Sequence, residues 1–529
     1  MLLELILLIS AVILWNYQKF RQRTRYWSDR GVPVVSQSPN FLLGNAQNAN
    51  ADYVLGRRSK YYVLLDQCKE MAGRKFFGSY GLLCTPTLTV VDLDLVHDIL
   101  VKDFDHFTDR INRDNPFNPL LSTSRSETDR VWHAMIPFQN GSGWKATRSV
   151  FSPIFTSGKM KLMMGLMTSL SVDLEREVAR MEQLDEDVEL KELFARYSLD
   201  CMGSCVFGLE LGALKQKRMG EESNKFVQYA AEAFELTKRD MAMFVASLVP
   251  GLGTLLKNST IPLVKPKVTQ FFSEVVNGTV DYRRETKTRR NDLIDLMLDA
   301  LDESKEEAAR GTKRAAEDRS VISTAIIFLM AGYDTTTLTL THLVYEMAKN
   351  QEVQDTLLEE VDRVMASLPD GQDLPDYNQV QDMTFLDACL HETLRLHPII
   401  ESLTRDCTED YKLKGCDLVI EKGTMVDIPT CFIHSDPKLY PEPERFWPER
   451  FLDGSVSERH KMAFLGFGVG PRNCIGGRFA MIEMKIGLVS LFSKHRFVRS
   501  AKTPERVTIH PTTVLAVPNH DMFVKPVPR

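Results

Sequence analysis

Residues 467–476 read FGVGPRNCIG, and how this stretch is read decides the fold. Gly468, Gly470 and Gly476, together with Pro471, make a stiff loop whose backbone can lie close against something planar or charged. Cys474 is its centre. After Ile475 comes GGRFAMIEMKIGLVSLFSKH, residues 476–495, in which Phe479, Ile482, Ile486, Val489 and Leu491 recur at helical spacing. The cysteine therefore stands at or just before a helix N-terminus, where unpaired N–H groups and the positive dipole end are expected to lower its thiol pKa. A thiolate so placed is either a nucleophile or a metal ligand. A lone cysteine is more often a small buried hydrophobe. The glycine spacing and Arg472 tilt the reading toward chemistry.

The order Phe-Gly-x-Gly-x-Arg-x-Cys-x-Gly, filled by Phe467, Gly468, Gly470, Arg472, Cys474 and Gly476, resembles the haem-binding signature of the cytochrome P-450 family. The resemblance implies a mainly α fold with small β-sheets, and haem b (iron protoporphyrin IX) held between the family's I and L helices. It makes Cys474 the axial ligand of the haem iron, with Phe467 beside it.

Composition bounds less. With 43% hydrophobic residues and a net charge of −6, the chain is a slightly acidic globular protein with ample core and no nucleic-acid footprint. Its 529 residues would suit several domains, but no repeat, Ser/Gly linker or low-complexity tract divides it after the first thirty. We therefore expect residues 1–30 to be a membrane anchor with a basic linker, and residues 31–529 a single haem-thiolate catalytic domain. Nine cysteines without paired spacing suit a reducing compartment, and Cys201 and Cys205 lack the second pair that a zinc site would need.

The N-terminus, MLLELILLISAVILW, is apolar and is followed by Lys19, Arg21, Arg23 and Arg25. It is short against the about 20 residues of a full span, but a cleaved signal would carry its basic residues first. An uncleaved anchor with the following domain in the cytosol is expected, in the endoplasmic reticulum membrane. The sequons at Asn140, Asn258 and Asn277 would then never meet the glycosylation machinery. The Pro hinge after the anchor is thin, Pro33 standing alone.

Residues 82–100, LLCTPTLTVVDLDLVHDIL, alternate and then turn helical, predicting a strand, a helix and a small sheet. NPFNPLL, residues 115–121, is a loop fit to fold over a pocket. Trp144 and Arg148, four apart, share a helix face and aim an indole N–H and a guanidinium at one anion. They resemble the family's C-helix pair, which holds the haem propionates; by the same resemblance Arg110, Arg405 and Arg472 complete that shell. MAMFVASLVPGLGTLL, residues 241–256, reads equally as core or as a lid over the substrate channel that dips into membrane lipid.

VISTAIIFLMAGYDTTTLTLTHLVYEMAKNQ, residues 321–351, is apolar and then carries Gly332 and five threonines. Both are poor helix formers; threonine hydroxyls can bond the preceding turn, and Gly332 lets a ligand approach the backbone. Ala331, Gly332, Asp334 and Thr335 match the family's I-helix motif. The resemblance assigns Asp334 and Thr335 the catalytic acid-alcohol role, relaying protons through water. Glu392 and Arg395 form an i, i+3 pair, and Arg450 in PERFWPERF, residues 443–451, is expected to close a structural network with them behind the cysteine loop. HPIIESLTRDC, residues 397–407, is extended chain then strand. Its Ile399, Ile400 and Leu403, with Phe328 and Ala331, should line the substrate space, Leu515 near the C-terminus closing the opposite wall. Glu401 is either solvent-exposed or a partner for a cationic substrate group.

The resemblance extends over residues 31–529 and is nearest in texture to the microsomal vertebrate drug-metabolising and insect detoxification enzymes. It implies a monooxygenase inserting one oxygen atom of O₂ into a lipophilic substrate, whether xenobiotic, steroid, fatty acid or terpenoid. Electrons would come from an NADPH-dependent flavoprotein reductase, with cytochrome b5 as a second donor, docking where Lys145, Lys159, Lys161, Arg472 and Arg478 offer positive charge. A haem-thiolate isomerase or dehydratase, or a non-catalytic haem-binding sensor, are the alternatives; the intact Asp334–Thr335 pair argues against the first.

Overall fold

A computed structural model describes residues 20–36, 45, 58–81, 84–110, 126–215, 225–232, 260–261, 265–309, 319–452, 460–511 and 513–529. The N-terminal apolar run, the 115–121 loop and the 241–256 stretch lie outside the described residues. The six helices that build the site are α1 (Gly141–Phe151), α2 (Ser157–Gln183), α3 (Leu190–Met202), α4 (Arg319–Lys349), α5 (Thr384–Leu396) and α6 (Gly477–Phe492). Among the described residues the nine strands are β1 (Phe76–Tyr80), β2 (Pro86–Val90), β3 (Val188–Glu189), β4 (Leu403–Asp406), β5 (Tyr411–Lys412), β6 (Val419–Ile420), β7 (Met425–Ile428), β8 (His495–Val498) and β9 (Phe523–Pro528). This is the mainly α architecture with small sheets that the sequence implied.

The core is built on α4. By length and composition it could cross a membrane, but 72% of its most apolar window is buried inside the protein, as a central helix must be. It packs on α3, and α6 packs on α2. Polar ties set the depth of these contacts: Ser490 Oγ donates to Ser171 O (2.8 Å), and Tyr197 Oη donates to Glu483 O (3.0 Å). Gly332 is where α4 meets α3. A Cβ there would collide with Met202 Sδ, so the glycine admits a helix neighbour rather than a ligand, correcting the sequence expectation.

The larger sheet runs β1-β2-β7-β4, antiparallel except for the parallel β2–β7 pair. The strand and helix expected within residues 82–100 are β2 and the short helix Leu93–His97. Residues from the end of the basic linker onward are part of this layer. Trp27 is fully buried against the bare Cα of Gly78, its Nε1 donates to Ser79 O (3.0 Å), and Gly78 N donates to Pro33 O (2.7 Å). Arg30 pairs with Glu421 (2.6 Å) and lies over the Tyr26 ring. The lone Pro33 is therefore compensated by an aromatic dock and an ion pair.

Gly332→Val should lower the melting temperature, by the overpacking cost of about 2 kcal/mol. Adding Met202→Ala should recover part of the loss, and additive melting shifts in the double variant would show that the two residues do not meet.

Candidate active site

The cysteine loop is shaped by two left-handed glycines, Gly468 (φ 65°) and Gly470 (φ 72°). A Cβ on Gly470 would strike Leu100 O, so here a glycine is required for close approach. Cys474 N donates to Phe467 O (2.8 Å), and Asn473 N to Gly470 O (3.1 Å), closing the loop on itself. Cys474 stands two residues before Gly476, the N-cap of α6, is exposed, and lines a cavity of about 280 Å³. Burial raises its thiol pKa, against the opposing pull of the Gly476 backbone N–H and of Arg148 and Arg110. The helix N-terminus thus does not win alone. A bound metal cation would favour the thiolate.

A β-bridge builds the other side of the cavity. Asp406 N donates to Asp109 O (2.7 Å), which sets Arg110 beside Arg405. Arg405 sits on β4 opposite Val426 of β7. Trp144 and Arg148 arrive from α1, and all four residues line the cavity with Arg472. Arg472 Nε and Nη2 donate to Thr108 O and Gln139 O (both 2.8 Å), Nη1 to Ile136 O (3.4 Å), and its guanidinium lies 4.1 Å over the Trp144 ring. Arg148 donates to Asn473 O (2.9 Å) and Oδ1 (2.7 Å), gripping the residue before the cysteine.

These cations crowd one another. Burial, then the charge of Arg148, pulls Arg110 down to about 10. Burial and Arg110 pull Arg472 down to about 9, and burial with Arg110 and Arg472 holds Arg405 well below the usual arginine range. Three buried polar atoms here, Trp144 Nε1, Arg110 Nε and Arg405 Nε, have no hydrogen-bond partner. Buried cations and unfilled donors around one cavity call for an anion. A flat group carrying carboxylates, with a central cation to meet Cys474 Sγ, fits this donor set, so the residues present suit haem. Arg472, being buried, offers no surface charge to a redox partner; that part of the docking expectation is corrected.

The oxygen side is α4. Thr335, Thr337, Thr339 and Thr341 donate their hydroxyl hydrogens to the carbonyls of Ala331 (2.6 Å), Tyr333 (2.7 Å), Thr335 (2.8 Å) and Thr337 (2.8 Å), the back-bonding that the sequence anticipates. Ala331 and Thr335 line the cavity, as does Phe328 one turn earlier; Asp334 is not among the lining residues. Of the expected wall residues, Ile399, Ile400 and Leu403 line it. Leu515 does not: it packs on Leu338, Leu394 and Ile399, tied in by Ala516 N donating to Ile399 O (2.9 Å). It supports the wall from behind. Glu401 pairs with Lys60 (3.1 Å) and so does not wait for a cationic substrate.

Sequence reading missed lining residues such as Ile136, Thr336 and Thr430. Only Thr336 had a signal, as the last residue of AGYDTT.

Behind the loop, Glu392, Arg395 and Arg450 form one buried cluster. Arg395 Nε and Nη2 donate to the two Glu392 oxygens (2.7 and 2.8 Å), Arg450 Nε to Glu392 Oε1 (3.3 Å), and Trp447 N to the same oxygen (2.9 Å). His434, absent from the sequence reading, relays this cluster to the loop. Its carbonyl accepts from Arg395 Nη1 (2.8 Å) and its Nε2 from Leu465 N (2.8 Å). Burial, then Arg395, holds its pKa down to about 3, keeping Nε2 free to accept. Glu392→Gln should yield folded protein that retains less than half the haem of the parent, because breaking a buried pair costs about 3–5 kcal/mol. Full occupancy by pyridine haemochrome assay would detach the cluster from the loop.

Comparison with known proteins agrees with this geometry. Residues 37–525 match the family model described as cytochrome P-450. The chain is 33% identical over 530 residues to the probable cytochrome P-450 6a14 of Drosophila melanogaster, covering 98% of both chains. It is 31% identical to cytochrome P-450 6B1 of Papilio polyxenes over all of both chains, and 30% identical to cytochrome P-450 6A1 of Musca domestica, covering 96% of this chain and 94% of that one. The chain belongs to the cytochrome P-450 family and is a haem-thiolate monooxygenase.

Proposed function

We propose that the protein is a membrane-anchored enzyme of the endoplasmic reticulum, of the insect detoxification group, that hydroxylates lipophilic molecules. The observation carrying the reading is one cavity that joins Cys474, a ring of unsatisfied buried donors and an apolar wall. The overall reaction balances as substrate–H, O₂, NADPH and H⁺ giving substrate–OH, H₂O and NADP⁺. No nicotinamide or flavin motif is present in the chain, so the electrons come from an NADPH-dependent flavoprotein reductase, with cytochrome b5 as a second donor. Exposed Lys145 and Arg478, on the cysteine-loop side, supply charge for that docking.

Haem bound here supplies the chemistry of activating oxygen and transferring one oxygen atom. The chain's own residues do the rest. Cys474 Sγ would hold its iron; Trp144 Nε1 would donate to its carboxylates and Arg110 and Arg405 would neutralise them, with Arg148 and Arg472 holding the loop that carries the cysteine. Phe328, Ile399, Ile400 and Leu403 orient an apolar substrate and exclude water. Thr335 keeps its hydroxyl hydrogen on Ala331 O, which leaves its oxygen lone pairs turned to accept from a water in the cavity. Asp334, one residue away, supplies protons from outside the cavity wall.

The dithionite-reduced protein should show the red-shifted Soret band of thiolate ligation with carbon monoxide, and Cys474→His should lose it. In reconstitution with reductase, Thr335→Ala should raise the share of NADPH consumed without product about tenfold. Unchanged coupling would remove Thr335 from proton handling.

A further inference from the structure

The aliphatic wall of the cavity rests on two stretches of chain. Ile399, Ile400 and Leu403 line the cavity, and Leu515 packs behind them on Ile399. Residues 397–402 form neither helix nor strand, and the arms of the 508–519 stretch meet in one bridge, Ile509 with Pro518. Chain of this kind keeps its shape through contacts to better ordered elements.

One helix, Lys60–Glu70, reaches both stretches. Lys60 Nζ pairs with Glu401 (3.1 Å), the neighbour of Ile400 in the chain, and Tyr62 Oη accepts from Ile509 N (3.1 Å). The two stretches are also joined to each other, Ala516 N donating to Ile399 O (2.9 Å). These three links close a circuit from the helix to residue 401, from 399 to 516, and from 509 back to the helix. The helix itself is firmly seated: Leu64 and Cys68 are buried against Phe77 of β1 and against Cys431, and Ser59 Oγ caps the first turn by accepting from Tyr61 N (3.3 Å). Glu401 is held from its other side too, its carbonyl accepting from Cys431 N (3.1 Å). An ion pair with a half-exposed lysine is weak, and a single neutral hydrogen bond is little stronger, so neither link decides whether the chain folds. What the links fix is the spacing of the two wall segments.

We propose that Lys60 and Tyr62 are positioning residues for substrate selection: from outside the cavity they brace the 397–402 and 508–519 segments, and so set the breadth of apolar ligand that the wall admits. Neither lines the cavity. Lys60 acts through Glu401 on Ile399 and Ile400, and Tyr62 acts through Ile509 on the stretch that carries Leu515. The inference rests on the monooxygenase reading above. It adds that discrimination between narrow and broad apolar substrates is controlled in part by a helix that meets no substrate.

The test titrates the haem-loaded, full-length protein with imidazole, 4-phenylimidazole and 1-tritylimidazole, ligands of rising breadth, and reads the shift of the ferric Soret band. In Tyr62→Phe and in Lys60→Met the dissociation constant for the trityl compound, divided by that for imidazole, should fall about threefold, the size expected from losing one weak link. Amide hydrogen exchange in peptides spanning 399–403 and 513–518 should quicken in the same variants. Lys60→Glu should behave like Lys60→Met, and adding Glu401→Lys should bring the ratio back, which a packing role for the lysine stem would not do. An unchanged or raised ratio in either single variant overturns the proposal, as does a double variant that stays like Lys60→Glu. Equal weakening of all three ligands with a lowered melting temperature also overturns it, because it assigns the helix to general stability. The parent separates the two levels of inference. A parent Soret band that none of the three ligands moves sinks the monooxygenase reading, whereas normal shifts with an unchanged ratio in the variants sink this proposal alone.

Discussion

Positive charge buried without a matching carboxylate is the constraint on which the site depends. Burial first, and then the charge of neighbouring guanidiniums, depresses the proton affinity of Arg110, Arg405 and Arg472, and Trp144, Arg110 and Arg405 each keep a donor nitrogen unfilled. Such a cluster is unfavourable by itself, since a desolvated cation without a counter-charge is among the most expensive things a fold can contain. The chain tolerates it because carbonyls of the Thr108, Ile136 and Gln139 segments hold Arg472 and because β4 is locked to residue 109. The unpaired remainder is affinity held in reserve for an anionic ligand, so folding and cofactor binding share one electrostatic term.

The thiol obeys the same logic from the other side. Burial pushes it toward neutrality, and the nearby guanidiniums and the loop's backbone N–H only partly oppose this. The loop is held in place from three directions: by Leu100 under Gly470, by Arg148 on Asn473, and by the Glu392 cluster acting through His434 on Leu465. A loop with this many external supports does not need regular structure to be rigid.

Much of this was legible in the sequence because it depends on local pattern. Helical periodicity after Cys474, the strand-to-helix switch after Cys84 and the four-residue spacing of Trp144 and Arg148 all translate directly into elements. What escaped depends on tertiary proximity. Nothing local says that Gly332 faces Met202 on another helix, that Leu515 stands behind the wall and not on it, or that Arg472 is covered by three carbonyls. His434 escaped for the same reason, as its role comes from a carbonyl and a ring nitrogen meeting two distant segments. The pull of the helix N-terminus on Cys474 is opposed by desolvation, which no local sequence pattern encodes and only the packed protein supplies.

The threonine run on α4 also has a mechanical consequence. The carbonyls of Ala331, Tyr333, Thr335 and Thr337 each serve a side-chain hydroxyl as well as the helix. Shared acceptors weaken the axial bonds on one side of the rod, and a helix so treated bends more readily there than elsewhere. The compliant segment includes Ala331, Thr335 and Thr339, which border the cavity. The central beam of the protein is thus most easily bent beside the cavity, so a ligand pressing on that wall meets the helix where its axial bonds are weakest.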